Sequence, residues 1–429
     1  MISRLIAWSA RNLVLIFVGT AFAVSAGLYA LKTLPLDAIP DLSDAQVIVY
    51  TNYPGQAPQV VEDQVTYPLT TAMLTVPKSK VVRGFSFFGV SFVYVIFEDG
   101  TDPYWARSRV LEYLNTVARR LPAGVTPTLG PDATGVGWVY QYAVVAKNMT
   151  LAELRSVQDW IVRYGISNAE GVAEVASVGG FVKQYNIVVD PQKLRAQGIS
   201  LDKLRSAVRA SNMDVGGRTV ELSEFEFVVR GRGYLRGIED IENIVLKTDA
   251  GAPLRLRDVA RVELGPDERR GITELNGDGE VVSGIALQRF GANALTVIDN
   301  VKARLAEIAS SLPKGVEIIS VYDRSELIKA AIETLKGTLL EESIIVAFVC
   351  FIFLLHLRSA LVAILMLPVG ILMAFAAMKF MGLGANIMSL GGIAIAVGAM
   401  IDAAIVMIEN AHKPLERAEP GTPRAQILI

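Results

Sequence analysis

Cysteine and histidine are nearly missing from this 429-residue chain: Cys350 is the single thiol, and His356 and His412 are the two imidazoles. One thiol excludes an intrachain disulfide, and a metal cage of thiolates would need several chains. Cys350 lies in an apolar stretch, where a thiol behaves as a small hydrophobe. Charge is scarce as well. Asp, Glu, Lys and Arg make up 20% of the chain and nearly cancel, at −2, so the balance offers no argument for a nucleic-acid or acidic partner. The sequence holds no P-loop, no nucleophile–base pair and no Cys/His cluster, which speaks against an ATPase or a chemical enzyme.

Apolar residues are what the chain has in quantity. A hydrophobic share of 52% and a mean hydropathy of +0.40 mark a membrane protein. Four apolar stretches of spanning length stand at residues 12–31, 340–357, 360–378 and 388–408. The first has a longer core than a secretory signal, and Lys32-Thr33-Leu34-Pro35-Leu36 is a poor cleavage site, so it reads as an uncleaved anchor. Arg4 and Arg11 precede it, Arg358 falls in the tight turn between the second and third stretches, and His412-Lys413 follow the fourth. The positive-inside rule then puts both termini in the cytoplasm, with Lys379 counting against this topology. The segment between the first two spans is expected across the membrane, in the periplasm of a host with an outer membrane.

Within the fourth stretch stands one carboxylate, Asp402. A carboxylate at the centre of a spanning helix costs about 2.5–3.5 kcal/mol, so it is kept where a polar partner or a wet cavity receives it. Gly391, Gly392 and Gly398 on the same stretch let another helix come close. Glu409 follows Asp402 by two turns on nearly the same face, while Met400 and Met407 share a face roughly 160° away at 100° per residue. Bland readings stand beside these: Asp402 as a fastener between helices, Glu409 as a solvated interfacial acid, the methionines as apolar filler. His356 reads as a headgroup-level anchor, and Glu62, Asp63, Glu98 and Asp99 as solvated faces and turns.

Between residues 33 and 337 the pattern turns to alternating strands and amphipathic helices, an α+β region. Residues 46–51 and 91–97 read as strands, with a helix over 58–73. Asp102-Pro103 opens a helix to about residue 120, and Thr150-Leu151-Ala152-Glu153 is a capping box for another through about residue 164. A strand, a helix and a Leu-Pro-x-Gly-Val turn occur twice, ending at Leu121–Val125 and at Leu312–Val316. The simplest account is two ferredoxin-like βαβ subdomains, the second interrupted by an insertion at 181–271. The insertion carries a helix opened by Ser200, then Gly216-Gly217-Arg218 and residues 225–230, which read as a protruding hairpin.

Several long runs carry a resemblance: Asp37-Ala38-Ile39-Pro40-Asp41-Leu42-Ser43, Tyr53-Pro54-Gly55-Gln56-Ala57-Pro58, and residues 97–113, 130–138 and 386–413. Through them the chain resembles the N-terminal half of a heavy-metal efflux pump of the resistance-nodulation-division (RND) class, in its copper/silver branch. The resemblance implies a membrane α-helical part of four spans plus a periplasmic porter region of two ferredoxin-like subdomains with a docking insertion. The divisions expected are 1–32 for the cytoplasmic start and first span, 33–135 for the first porter subdomain, and 136–180 with 272–336 for the second. The docking insertion takes 181–271, spans two to four 337–411, and a divergent cytoplasmic tail 412–429. Pumps of the zinc/cobalt/nickel type carry an extra aspartate two residues before the glycine at 398, where this chain has Ala396, and thioether sulfur suits Cu(I) and Ag(I). Glu268, ahead of Arg269-Arg270, departs from the methionine that the copper/silver branch tends to place there.

By the same resemblance the expected activity is exchange, with protons moving inward while a metal cation moves outward. Each elementary charge crossing the membrane supplies about 2.3 kcal/mol per 100 mV. Asp402 would take up the proton, Glu409 would pass it to the cytoplasm, and Met388, Met400 and Met407 would line the metal path. No cofactor is implied beyond the transported Cu(I) or Ag(I) and protons. The implied partners are a periplasmic adaptor protein, an outer-membrane channel and two further copies in a homotrimer, in the inner membrane and without nucleic acid. A complete family member holds a second copy of this architecture, so the chain reads as a fragment inactive alone, with Pro414 onward departing from the helix expected there. Two rivals stay open: a membrane-anchored periplasmic binding protein that transports nothing, and an RND pump for other metals or organic compounds.

Overall fold

The computed structural model describes residues 2–249, 251–269, 271–354 and 357–417. His356 and residues 418–429 lie outside the described residues, so the headgroup anchor and most of the divergent tail do too. The chain opens with helices α1 (Ile2–Arg11) and α2 (Leu13–Thr33) and then enters a first βαββαβ unit. Its members are β1 (Gln46–Asn52), α3 (Pro58–Val61), α4 (Tyr67–Met73), β2 (Ser79–Phe87), β3 (Val90–Phe97), α5 (Pro103–Val117) and β4 (Pro127–Leu129). Strand order is β2-β3-β1-β4, with each neighbouring pair antiparallel. This is the ferredoxin-like arrangement. Val47 and Val49 point from β1 into a core with Val61, Leu69, Met73 and Phe97, as the period-2 pattern requires. Asp102 starts α5 by accepting from the Trp105 amide at 2.7 Å, with proline at the first helical position.

The second unit repeats this plan. It runs β5 (Trp138–Val145), α6 (Leu151–Val157), α7 (Arg163–Ser167) and β6 (Val172–Gly179), leaves for an insertion, and returns with a strand, a helix and a last strand. The capping box forms: the Glu153 amide donates to Thr150 Oγ1 at 3.3 Å and the Thr150 amide to Glu153 Oε2 at 2.8 Å. In both units a π-helical turn joins the two halves of the first helix, Glu62–Thr66 in one and Gln158–Val162 in the other. Each turn aims a buried polar side chain at the sheet: Thr66 bonds Ser91, and Gln158 accepts from the Tyr142 hydroxyl at 3.0 Å. Burial pushes the Tyr142 phenol well above its usual range, outweighing that bond.

The insertion holds β7 (Lys183–Val189), α8 (Pro191–Ala196), α9 (Leu201–Ala210), β8 (Val215–Leu222), β9 (Phe225–Gly231), α10 (Ile238–Glu242), β10 (Val245–Asp249), β11 (Ala252–Arg255), α11 (Leu256–Val259) and β12 (Ala260–Pro266). Its entering and leaving strands, β7 and β12, pair with each other, so the inserted segment closes on itself around its own core of Leu194, Leu204, Ile241 and Leu256. The β8–β9 hairpin is exposed along its whole length. The second unit then finishes with β13 (Val282–Gln288), α12 (Ala294–Ile308) and β14 (Glu317–Asp323), in strand order β14-β5-β13-β6. The doubled Leu-Pro-x-Gly-Val turn is visible in detail. Gly124 and Gly315 take φ of +85° and +86°, and the Val125 and Val316 amides each reach the proline carbonyl three residues back at 3.1 Å.

From Asp323 the chain passes without a loop into α13 (Arg324–Leu354), followed by α14 (Leu357–Phe380) and α15 (Ile387–Arg417). Two helices among the described residues are long and apolar enough to cross a membrane, Leu13–Thr33 and Ile387–Asn410, against the four expected. Among the described residues α14 adds a shorter apolar stretch, Leu365–Phe380. Two further expectations are corrected. Arg358 lies in the first turn of α14, and α15 continues past Pro414, whose missing N–H forfeits one carbonyl bond near the helix end.

Candidate functional site

The site is carried by α15 and held by its first turn. The Asn386 side chain accepts from the Ser389 amide at 2.9 Å while the Ser389 hydroxyl accepts from the Asn386 amide at 2.8 Å. The chain just after α2 lies alongside this turn: Asp37 N–H donates to Ala385 at 3.0 Å, Ala385 N–H to Pro35 at 2.9 Å and Ile387 N–H to Ala38 at 3.2 Å. Lys379, whose charge counted against the expected topology, donates to the Thr33 carbonyl at 3.2 Å and so caps the end of α2. An apolar cluster of Ala30, Leu34, Leu367, Phe375, Leu390, Ile393 and Val397 joins α2, α14 and α15.

Asp402 sits on the exposed face of α15, and among the described residues no side chain bonds to it. Met400 points the other way, onto α14, where its sulfur would lie 2.7 Å from a Cβ added at Gly370. The helical periodicity that separated acid from thioether thus shows in the packing. Met388 and Met407 are 70% and 58% exposed. Along a helix rising 1.5 Å per residue, Met388 and Met400 stand about 18 Å apart and Met400 and Met407 about 10 Å, too far to share one ion. Glu409 pairs with Lys413 one turn on, at the half-exposed end of the helix. The structure therefore brings none of the five residues into a common cluster.

Sequence reasoning passed over a second group, at the outer ends of α2 and α14. A cavity of about 750 Å³ opens there between the first unit, the second unit and the α14–α15 turn. Five carboxylates line it, Asp37, Asp41, Asp44, Asp99 and Asp132, against one cation, Arg107, which is engaged with the Gly130 carbonyl at 2.8 Å. Tyr104 donates to Asp132 at 3.3 Å; burial first and then the Asp132 charge hold its phenol above the usual range. Beside this cavity Arg324, only 4% exposed, places one nitrogen 3.4 Å from both Asp37 oxygens and another 2.6 Å from the Trp138 carbonyl. Gln288 donates to Asp37 at 3.2 Å. The signal for Asp37 was its place in a long motif, but a partner 287 residues away leaves no local pattern.

Residues 5–428 match the AcrB/AcrD/AcrF family. The chain belongs to that family. Over 390 residues it is 59% identical to the cation efflux system protein CusA of Escherichia coli K12 and 58% identical to the putative cation efflux system protein SilA of Salmonella typhimurium. Over 396 residues it is 36% identical to the cobalt-zinc-cadmium resistance protein CzcA of Cupriavidus metallidurans. In each case 90% of this chain and 37% of the relative are covered, so it spans little more than a third of the length of these family members. A crystal structure of a heavy metal efflux pump superposes with a TM-score of 0.84 at 34% identity, covering 96% of this chain and 42% of that one. The AcrB/AcrD/AcrF family thus accounts for an α+β porter-like region between membrane helices, and the resemblance to a heavy-metal RND pump stands.

Proposed function

We propose that the chain forms the N-terminal part of an inner-membrane pump that exports monovalent copper or silver in exchange for protons. The observation that carries the reading is Asp402, an exposed carboxylate with no side-chain partner among the described residues, on a helix long enough to cross the membrane. Titration of such an acid lets a proton gradient change how the helix packs. The choice of cargo is supported by identity falling from 59% with CusA to 36% with the cobalt-zinc-cadmium protein, by Ala396, and by thioethers at Met388, Met400 and Met407. Those three, spaced too widely for one site, would pass the ion stepwise, and Glu409 would release the proton on the cytoplasmic side.

In this reading α13 and α14 cross the membrane along with α2 and α15, giving four spans and a periplasmic region between the first two. The two βαββαβ units serve as porter subdomains at 33–135 and at 136–180 with 272–336. The insertion at 181–271 and its exposed hairpin dock against neighbouring subunits of a trimer served by a periplasmic adaptor and an outer-membrane channel. No cofactor is required.

The test is growth of a sensitive strain in copper or silver with the complete pump, compared with its Asp402→Asn variant. Loss of resistance at unchanged protein level is expected. Retained resistance would favour a membrane-anchored binding protein, in which the helices only tether the α+β region.

A further inference from the structure

We propose that Asp37 and Arg324 are the positioning pair through which a change in α15 is passed to the second four-stranded sheet, an inference that rests on Asp402 being the proton-responsive group. Four connections meet at Asp37 and its neighbour Ala38. Its backbone belongs to the strap over the first turn of α15, donating to Ala385 at 3.0 Å, and the next residue, Ala38, accepts from Ile387 at 3.2 Å. Its carboxylate takes Arg324, the first residue of α13, and Gln288, the last residue of β13. Arg324 in turn donates to the carbonyl of Trp138, the first residue of β5.

These strand ends lie on one edge of the sheet. The antiparallel order β14-β5-β13-β6 brings the start of β5, the end of β13 and the end of β14 together, and Arg289 ties in the start of β6 by donating to Val172 at 3.2 Å. At the end of β14, Asp323 is paired with Lys302 of α12 and accepts from the Ser325 amide at 2.9 Å. The whole membrane-facing edge of the second unit is therefore bonded, through two side chains, to the segment that holds α15. The first unit has no such bond among the described residues; the 750 Å³ cavity separates its α5 end from the same strap.

Arg324 suits a transmitting role because it is buried. A buried guanidinium cannot drop its carboxylate for water without leaving a charge in apolar surroundings, so the strap and the sheet edge move together or not at all. A pair at the surface could slip.

The experiment is hydrogen exchange on the complete pump in lipid nanodiscs, comparing wild type with Asp402→Asn, each with and without Asp37→Asn. In the wild-type background, Asp402→Asn should change exchange at residues 385–387 and at the facing ends of β5 and β13 by roughly fivefold or more, while β1 and β3 stay unchanged. With Asp37→Asn, the change at α15 should persist and that at the sheet edge should fall below about twofold. Equal responses of the sheet edge in both backgrounds would overturn the pair's role. No response of α15 to Asp402→Asn would overturn the proton-driven reading itself, and the proposal with it. Arg324→Lys supplies a milder variant should Asp37→Asn not fold: it keeps the charge but cannot bridge Asp37 and Trp138 at once, and the same loss of transmission is expected.

Discussion

Lys302 and Asp323 show how single side chains hold the sheet edge above the membrane helices. Burial raises the Asp323 carboxyl, but its bonds to Lys302 and Ser325 outweigh that and leave it below the usual range. Burial lowers the Lys302 ammonium, and Asp323 outweighs that as well, leaving it above its usual range. The signs fix the pH dependence. A depressed carboxylate contributes stability that is present above its unfolded pKa, about 3.9, and lost as the pH falls through the lower folded value. A raised lysine contributes stability that is complete below about 10.4 and lost as the pH rises through the higher folded value. The pair therefore leaves stability level between about pH 5 and 9. Because Lys302 is partly exposed, solvent screening limits the contribution to about 1 kcal/mol or less. Thermal melts of Lys302→Met across that range should run parallel to wild type at a slightly lower Tm, converging with it as the pH falls through the lowered folded value of Asp323. A gap that persists once Asp323 is protonated would mean that Lys302 acts by packing and not by charge.

Among the elements, α14 is the one against which the others are placed, and two glycines show how closely. A Cβ at Gly27 of α2 would lie 2.4 Å from the Leu372 carbonyl, so Gly27→Ala must push two backbones apart. Such overpacking costs about 1–3 kcal/mol. A Cβ at Gly370 would meet only the sulfur and terminal methyl of Met400, at 2.7 and 2.9 Å, which can swing aside. The expected outcome is a contrast. Gly27→Ala lowers the melting temperature in nanodiscs, whereas Gly370→Ala leaves it nearly unchanged and, in the complete pump, lowers metal transport by moving Met400. If Gly370→Ala pumps as wild type does, Met400 is apolar filler.

Elements of this kind were legible where one residue type dictates the geometry. Thr150 with Glu153, Asp102 with Pro103 and the two Leu-Pro-x-Gly-Val turns each announce a backbone event by local chemistry; the β8–β9 hairpin was expected too, but its turn falls at Ser223, at φ +59°, while Gly216 and Gly217 lie inside β8 where the register shifts. Strand β2 was not read, because it lines the open side of its sheet and shows no clean alternation of burial. The π-helical turns were unreadable too, since their sequences remain apolar at helical spacing and only the buried Thr66 and Gln158 distinguish them. At the site, the separation of Asp402 from Met400 followed from periodicity alone. The Asp37–Arg324 pair did not, because a contact across 287 residues depends on topology.

Taken whole, the molecule presents surfaces that its own described residues leave uncovered. The outer face of the first sheet carries Phe85 and Phe87 and the β2–β3 turn carries Phe88, all about half exposed, and the hairpin adds Phe225 and Val228. On α15 the acid that would be driven by protons faces outward and finds no cation among the described residues. A carboxylate that must cycle between charged and neutral forms in lipid needs a partner to receive its charge, or insertion of the ionised form stays unfavourable. The relatives named above are long enough to supply one, since this chain covers 37% of CusA. The expected outcome is that the chain expressed alone reaches the membrane but restores no growth in copper or silver, while a complete pump containing it does. Resistance conferred by the 429 residues by themselves would show that Asp402 finds its counter-charge in a second copy of the same chain, and cross-linking through the outward face of α15 would then capture that dimer.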